Sequence, residues 1–497
     1  MRFFLKAIKP MLVCAMCFVS LISLAQKATL KFADPLTANM VVQQNQPFTV
    51  WGTAKPGATV KITADWTSPV TVLADNKGAF KGIIPVIKVS KGDYAKHTVS
   101  ISSGKEKAEL TNVLIGEVWI CSGQSNMQFG MKEVPNAAAE LAQANNPNIR
   151  LFSTGLNFSD TPINTVSGTW KACTPETAKE FSAVGYYFGA LLQKELDVPV
   201  GLLFTGIGAS AAQAYVPKDV LANNPLLNEA YLQPYLSSEK SKEVINGGFS
   251  FEKVTRPYLL YNALIHPFTN LSIKGVVWYQ GEANHTEREN YTQLMYAMIG
   301  AWRDAFKQGN FPFYYVQVAP YYQDIEDPAA YGDAFFREAQ GKISNLNNTE
   351  MVVTMDVGEA KDLHPKNKKP IGVRLAKTAL NRTYVRLNQD YKGPTFDYVE
   401  FRGAKAIVNF YPETVKSGLQ TNDGKAPKYF QLAGVDQQFY DAEAVIDGEK
   451  VVLASLKVTQ PVAVRYAFTN YPVTNFENKE KIPAVPFRSD NWKEIKK

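Results

Sequence analysis

The sequence predicts an α/β protein in which a parallel sheet with intervening helices occupies the middle of the chain and β-rich segments flank it. Three observations lead there. Short apolar runs of strand length recur through the middle: Val113 to Ile120, Val198 to Thr205, Gly275 to Tyr279, Phe313 to Ala319 and Met351 to Met355. Between them lie longer stretches with apolar residues at intervals of three and four, Phe181 to Leu196 and Tyr291 to Phe306, and such alternation builds parallel sheets. Both ends read instead as short strands cut by turn residues.

From Ala28 to about Thr111, turn signals at Pro47, Lys55-Pro56-Gly57, Asn76-Lys77-Gly78 and Lys91-Gly92 separate the apolar runs. Val60, Ile62 and Ala64 alternate with Lys61, Thr63 and Asp65, the pattern of a half-buried strand, so a small antiparallel sandwich is expected. Near the other end, Glu443 to Ser455 reads as a hairpin turning at Asp447-Gly448, and Pro461 to Phe468 as a further strand. The expected division is a signal peptide over 1–25, a β-sandwich-like unit over 26–111, an α/β unit over 112–385 and a β-rich segment over 386–497.

At about 150 residues per domain, 497 residues leave room for about three folding units. A hydrophobic content of 45%, with 20% charged and 12% aromatic residues, excludes a disordered chain, a collagen and a polytopic membrane protein. The formal charge of +7 shrinks to +4 once Arg2, Lys6 and Lys9 are set aside, because residues 1–25 carry no acid. Charge so mild and so evenly spread does not point to nucleic acid. Those first residues read as a secretory signal: a basic start, an apolar run from Met11 to Leu24, and Ser23 and Ala25 where a cleavage site needs small residues. A membrane anchor would need about 20 apolar residues, and a lipidated cysteine would stand at the end of the run, whereas Cys14 and Cys17 lie inside it. The expectation is a secreted, periplasmic protein with no membrane span after cleavage. Cys121 and Cys173 would then remain, either joined in an oxidising compartment or left as two buried thiols.

Ligands of open α/β sheets bind beyond the carboxyl ends of the strands, so the loops that follow the apolar runs are where chemistry belongs. Four stand out. In Ile120-Cys121-Ser122-Gly123-Gln124-Ser125-Asn126-Met127, Ser125 is either a nucleophile at a helix start or a helix N-cap. In Gly206-Ile207-Gly208-Ala209-Ser210-Ala211 the GxGxxA spacing matches a dinucleotide fingerprint only superficially, since Pro217 soon interrupts any helix and no acid ends a strand about twenty residues on. Glycines there can instead bring a backbone N–H close to a substrate oxygen. Trp278-Tyr279-Gln280-Gly281-Glu282-Ala283-Asn284-His285 ends a strand in amides and acids; Gln280 is a candidate donor to an oxyanion, or these side chains are surface caps. Asp362-Leu363-His364-Pro365 puts an acid two residues from an imidazole, a spacing that suits a base with its orienting carboxylate and equally an ordinary turn.

The chain has four histidines. His97 falls in the sandwich segment, His266 in an Ile-His-Pro stretch where a structural role fits, and His285 three residues past the Gln-Gly-Glu triplet. A metal site built from His266, His285, His364, Glu282 and Asp356 would lack any HxH or HExxH spacing, and no cofactor is expected.

The blocks GEVWICSGQSNM (116–127), VVWYQGEAN (276–284) and DLHPKNK (362–368) together resemble the signature blocks of the sialate O-acetylesterase family, a branch of the SGNH-type hydrolases. Lesser matches run along the whole chain, from NMVVQQ and WGTAKPG to PAVPFRSDNW. The resemblance implies a flavodoxin-like three-layer α/β/α SGNH-type domain flanked by β-sandwich-like segments. It also implies metal-free hydrolysis of acetyl esters on an O-acetylated sugar or glycan, a sialic acid or an acetylated xylan or other plant glycan. Carried over by residue, it makes Ser125 the nucleophile, His364 the base and Asp362 its orienting acid, with Glu282 as the rival acid. Oxyanion donors would be the Ser125 N–H, Gly208 and Gln280. Two departures stand out: Ile207-Gly208-Ala209-Ser210 replaces the usual WGGT, and Tyr215 lies where relatives carry a tryptophan, an exchange expected to alter stacking on the sugar. A non-catalytic glycan-binding protein on the same fold is the competing expectation.

Overall fold

A computed structural model describes residues 29–322, 330–386 and 390–493, so the expected signal peptide with Cys14 and Cys17 lies outside the described residues. At its centre, strands Asn146–Ser153, Val200–Phe204, Glu106–Gly123, Gly275–Tyr279, Phe313–Val316 and Thr349–Val352 lie side by side in that order, all parallel. Lys171–Cys173 adds an antiparallel edge. Val200–Phe204 pairs on one side of Glu106–Gly123 and Gly275–Tyr279 on the other, so the order of the chain reverses at that strand. Such a switch point opens a crevice at the carboxyl edge of the sheet.

Both faces of the sheet are covered, which is why its strands read as continuous apolar runs. Strand Phe313–Val316 shows the alternation. Phe313 packs on Trp302 of helix Glu289–Phe306, Tyr314 reaches Thr383 Oγ1 (2.7 Å) beside helix Lys369–Arg382, and Tyr315 reaches the Gln340 carbonyl (2.7 Å) in helix Gly332–Lys342. Ser182 caps helix Ala183–Leu196 by accepting the Gly185 N–H at 3.0 Å, and Asp197 ends it in the left-handed conformation. Gly372 lets helix Lys369–Arg382 dock there: a Cβ on it would stand 2.7 Å from the Val184 carbonyl oxygen. That docking fixes the loop preceding the helix, which carries His364.

The amino-terminal strands form two facing layers, with Ile62 Cδ1 only 2.3 Å from where a Gly82 Cβ would be. The division expected at 111/112 falls inside one continuous strand, Glu106–Gly123. Its first half pairs with His97–Ser103 and its second half is the centre of the parallel sheet. Asn112, at φ 55°, marks the change of partner. Past the helices, Glu443–Asp447 and Lys450–Ala454 form the hairpin expected at Asp447-Gly448, and Phe430, Tyr466, Phe476 and Phe487 pack a separate core. Among the described residues no helix is long and apolar enough to cross a membrane.

Candidate active site

The crevice at the carboxyl edge gathers all four loops around Ser125, the third of them contributing Glu282 and Ala283. Gly123 makes the exit from the central strand possible: its φ is 139°, and a Cβ there would lie 2.1 Å from the Tyr279 carbonyl oxygen. Gln124 takes the N-cap position and Ser125 opens a one-turn helix, Ser125–Gln128, with no side-chain cap bond. The hydroxyl of Ser125 is therefore free for another partner. His364 Nε2 lies 2.8 Å from Ser125 Oγ, joining residues 239 apart in sequence. A hydroxyl hydrogen-bonded to an imidazole nitrogen is set up to hand over its proton as it attacks a carbonyl. Ser122, three residues earlier, is fully buried and donates to the Thr205 carbonyl.

Behind the imidazole, Asp362 Oδ1 accepts the His364 backbone N–H at 2.8 Å and stands 3.9 Å from His364 Nδ1. The carboxylate thus fixes the turn and faces the ring nitrogen at ion-pair distance. Glu282 turns elsewhere, taking the Asn126 side-chain N–H at 2.5 Å. Asn126 also donates to the Leu363 carbonyl (3.1 Å) and accepts from Lys368 Nζ (2.5 Å), so this buried amide ties the serine loop, the histidine loop and the Gln-Gly-Glu turn together. Burial holds the Lys368 ammonium down to about 7 and raises the Glu282 carboxyl. His364 is lowered below its ordinary 6.5, by burial first and the Lys368 charge second, against the opposite pull of Asp362 and Glu133.

The second loop brings Gly208 beside the serine: a Cβ on it would be 3.5 Å from Ser125 Cβ. In the free protein its N–H is occupied, donating to Gln128 Oε1 at 2.8 Å. Gln280 departs from the oxyanion role expected of it. Its side chain is fully buried under the loop, where Nε2 donates to the Ser210 carbonyl (3.1 Å) and Asn284 Oδ1 (2.7 Å) and Oε1 accepts from Tyr291 (3.0 Å). An amide with those bonds made holds the loop in shape and does not face the crevice. Tyr215 is likewise fully buried, edge-on to Trp278 and bonded to the Gly123 carbonyl, so it lies out of reach of a sugar ring.

Two side-chain amides do line the crevice and were not singled out from sequence: Gln128, which holds the Gly208 N–H, and Gln124. Gln124 Oε1 accepts two backbone N–H groups, Gly281 and Ala283, each at 3.3 Å. A flipped amide would set its NH₂ against both donors, so the orientation is fixed and Nε2 is left without a protein partner among the described residues.

His97, His266 and His285 are engaged elsewhere, with Asp65, the Ile163 carbonyl and the Glu282 carbonyl. Among the described residues no group of three or more His, Cys, Asp or Glu side chains could hold a metal ion. Cys121 and Cys173 are free, buried thiols; burial pushes the Cys173 thiol up to about 12 and that of Cys121 higher still.

Comparison with known proteins identifies the family of this chain. Residues 115–381, more than half of the chain, match the family described as carbohydrate esterase, sialic acid-specific acetylesterase. The sialate O-acetylesterases of Mus musculus and Homo sapiens are similar at 26% and 27% identity, over 92% of this chain and 94% and 92% of theirs. The crystal structure of a carbohydrate acetylesterase from Xanthomonas citri superposes with a TM-score of 0.82 at 33% identity, covering 93% of this chain and all of that one. The protein is thus a carboxylic ester hydrolase, and it belongs to the sialic acid-specific acetylesterase family of carbohydrate esterases.

Proposed function

We propose that the protein is a secreted O-acetylesterase that removes acetyl groups from sugars through an acyl-enzyme on Ser125. The observation that carries the reading is the 2.8 Å contact between Ser125 Oγ and His364 Nε2 in a crevice open to solvent. His364 takes the hydroxyl proton while Oγ attacks the acetyl carbonyl, and Asp362 steadies the imidazolium that forms. The sugar alcohol leaves with that proton. Water, activated by the same imidazole, then attacks the acyl-serine and frees acetate. The negative oxygen of each tetrahedral intermediate falls to the Ser125 N–H, the Gly208 N–H once the Gln128 side chain has swung aside, and Gln124 Nε2 in place of Gln280.

Secretion rests on the leader pattern of residues 1–25. The direct test is acetate release from acetylated sugars together with labelling by a fluorophosphonate. Wild type should show both and Ser125→Ala neither. A wild-type protein that neither turns over nor labels would be a glycan-binding protein on an esterase fold.

A further inference from the structure

We propose that Gln128 is a specificity latch: in the free enzyme its side-chain carbonyl occupies the Gly208 N–H and holds the oxyanion site shut until the hydroxyls of a sugar draw the amide away; this deepens the acetylesterase reading and rests on it. Gln128 Oε1 accepts the Gly208 N–H at 2.8 Å. It lies 3.2 Å from where a Cβ on Gly208 would stand, and Ser125 Cβ lies 3.5 Å from that same point. A carbonyl oxygen bonded to a backbone N–H beside the nucleophile is what a bound ester would itself present. One N–H serves one such oxygen well, so substrate and side chain compete for it.

The backbone holds Gln128 in place and leaves its side chain able to turn. Gln128 ends the one-turn helix Ser125–Gln128, where its N–H donates to the Gln124 carbonyl at 2.9 Å and the Phe129 N–H donates to the Ser125 carbonyl at 2.8 Å. Gln124 and Gln280 are buried, whereas Gln128 is exposed, so a change of rotamer there disturbs no packing. Its position also divides the cleft. A cavity of about 520 Å³ runs toward Ile207 and Ala283 and another of about 580 Å³ toward Glu133 and Lys366, and Ser125, Gln128 and His364 line both. Turning the Gln128 side chain away from the serine therefore bares the Gly208 N–H and joins the spaces on either side of the nucleophile in one movement. Sugar hydroxyls can hold the amide in its turned position, since Nε2 donates and Oε1 accepts. An ester without hydroxyls has nothing to offer it and breaks the Gly208 bond uncompensated.

The experiment is Gln128→Met in the full-length enzyme, which keeps the length of the side chain and removes its strong acceptor, with Gln128→Ala as the second variant. On p-nitrophenyl acetate kcat/KM should rise about three- to tenfold, the factor one released hydrogen bond is worth. Labelling of Ser125 by a fluorophosphonate should speed up in step, because the phosphoryl oxygen uses the same donor. On 6-O-acetylglucose or 9-O-acetyl-N-acetylneuraminic acid, whichever wild type cleaves, the gain should be smaller or reversed, so that the ratio of sugar to p-nitrophenyl acetate kcat/KM falls by about threefold or more. Exchange of the Gly208 amide hydrogen should be faster than in wild type while the thermal midpoint moves by only a few degrees. Variants that lose activity on p-nitrophenyl acetate would overturn the proposal, making Gln128 a donor or a strut of the second loop, as would equal gains on both kinds of ester or an unchanged Gly208 exchange rate. Failure of the acetylesterase reading looks different: wild type would then hydrolyse no acetate ester at all, or cleave p-nitrophenyl acetate and neither sugar, or Ser125→Ala would retain full activity.

Discussion

Replacing Gln124 by Glu keeps the shape of the side chain but exchanges a hydrogen-bond donor for a carboxylate oxygen. In the native turn, Gln124 Oε1 accepts the Gly281 and Ala283 N–H groups, each at 3.3 Å, and a carboxylate oxygen can do the same. Gln124→Leu would strand both N–H groups under the loop at about 1–3 kcal/mol each, so loss of activity there could not be separated from loss of fold. With Glu the shape is kept, while an oxygen takes the place of Nε2 and faces the developing oxyanion. Losing one donor of an oxyanion hole raises the barrier by about 3–4 kcal/mol, which is a fall in kcat of about 10²–10³-fold, and a repelling charge deepens it. The assay is steady-state hydrolysis of p-nitrophenyl acetate and an acetylated sugar, with thermal unfolding as control: kcat should fall by that factor and the midpoint should move by only a few degrees. A folded Gln124→Glu enzyme that keeps kcat within about threefold would refute the assignment, because no donor worth 3 kcal/mol could then reside there.

Other outcomes follow from the same geometry. Ser125→Ala should lower acetate release by at least about 10⁴-fold, whereas Ser122→Ala, which loses only a buried bond to the Thr205 carbonyl, should keep its turnover and lose about 1 kcal/mol in urea unfolding. The acid limb of kcat/KM should have its midpoint below 6.5, because His364 must be neutral to act as base and burial and Lys368 both disfavour its protonated form; a pH-rate profile reads it. In Lys368→Met that limb should move up by as much as about one pH unit, since removing a nearby positive charge stabilises the imidazolium and leaves less free base at pH 6. Gly123→Ala should destabilise the fold by about 2–4 kcal/mol in denaturant unfolding, its Cβ meeting the Tyr279 carbonyl oxygen at a φ of 139°.

Much of the fold is legible in the chain because the central strands are buried on both faces and cannot hide their apolar runs. Gly275 to Tyr279 is strand Gly275–Tyr279, and the periodic stretch from Tyr291 lies within helix Glu289–Phe306. Strand ends are read less well: the run Phe313 to Ala319 is strand only as far as Val316, for although the Gln317 N–H still bonds the Val352 carbonyl at 2.9 Å, the Val318 N–H turns to Gln340 Oε1 at 2.9 Å. What stays hidden is a strand that serves two sheets. Glu106–Gly123 alternates as an exposed sandwich strand up to Asn112 and runs fully buried from Val113, and such a change of pattern in a sequence looks like a boundary between units.

The site divides along the same line between backbone position and side-chain direction. That Ser125 and His364 each follow a strand at one edge of a parallel sheet is a consequence of topology, and topology can be anticipated from alternating elements. Which of two neighbouring amides faces the crevice is decided by competition for hydrogen bonds. Gln280 lies on a turn whose interior already holds Ser210, Asn284 and Tyr291, all polar and buried or bonded there, so its amide is drawn inward to satisfy them. Gln124 instead finds two backbone N–H groups of that same turn, which claim its oxygen and leave its nitrogen without a protein partner among the described residues. The two glutamines stand at equivalent places, each just past the end of an apolar run, and nothing in the text distinguishes them. The folded turn does so because buried acceptors must be matched by donors, and only Gln280 is surrounded by acceptors from within.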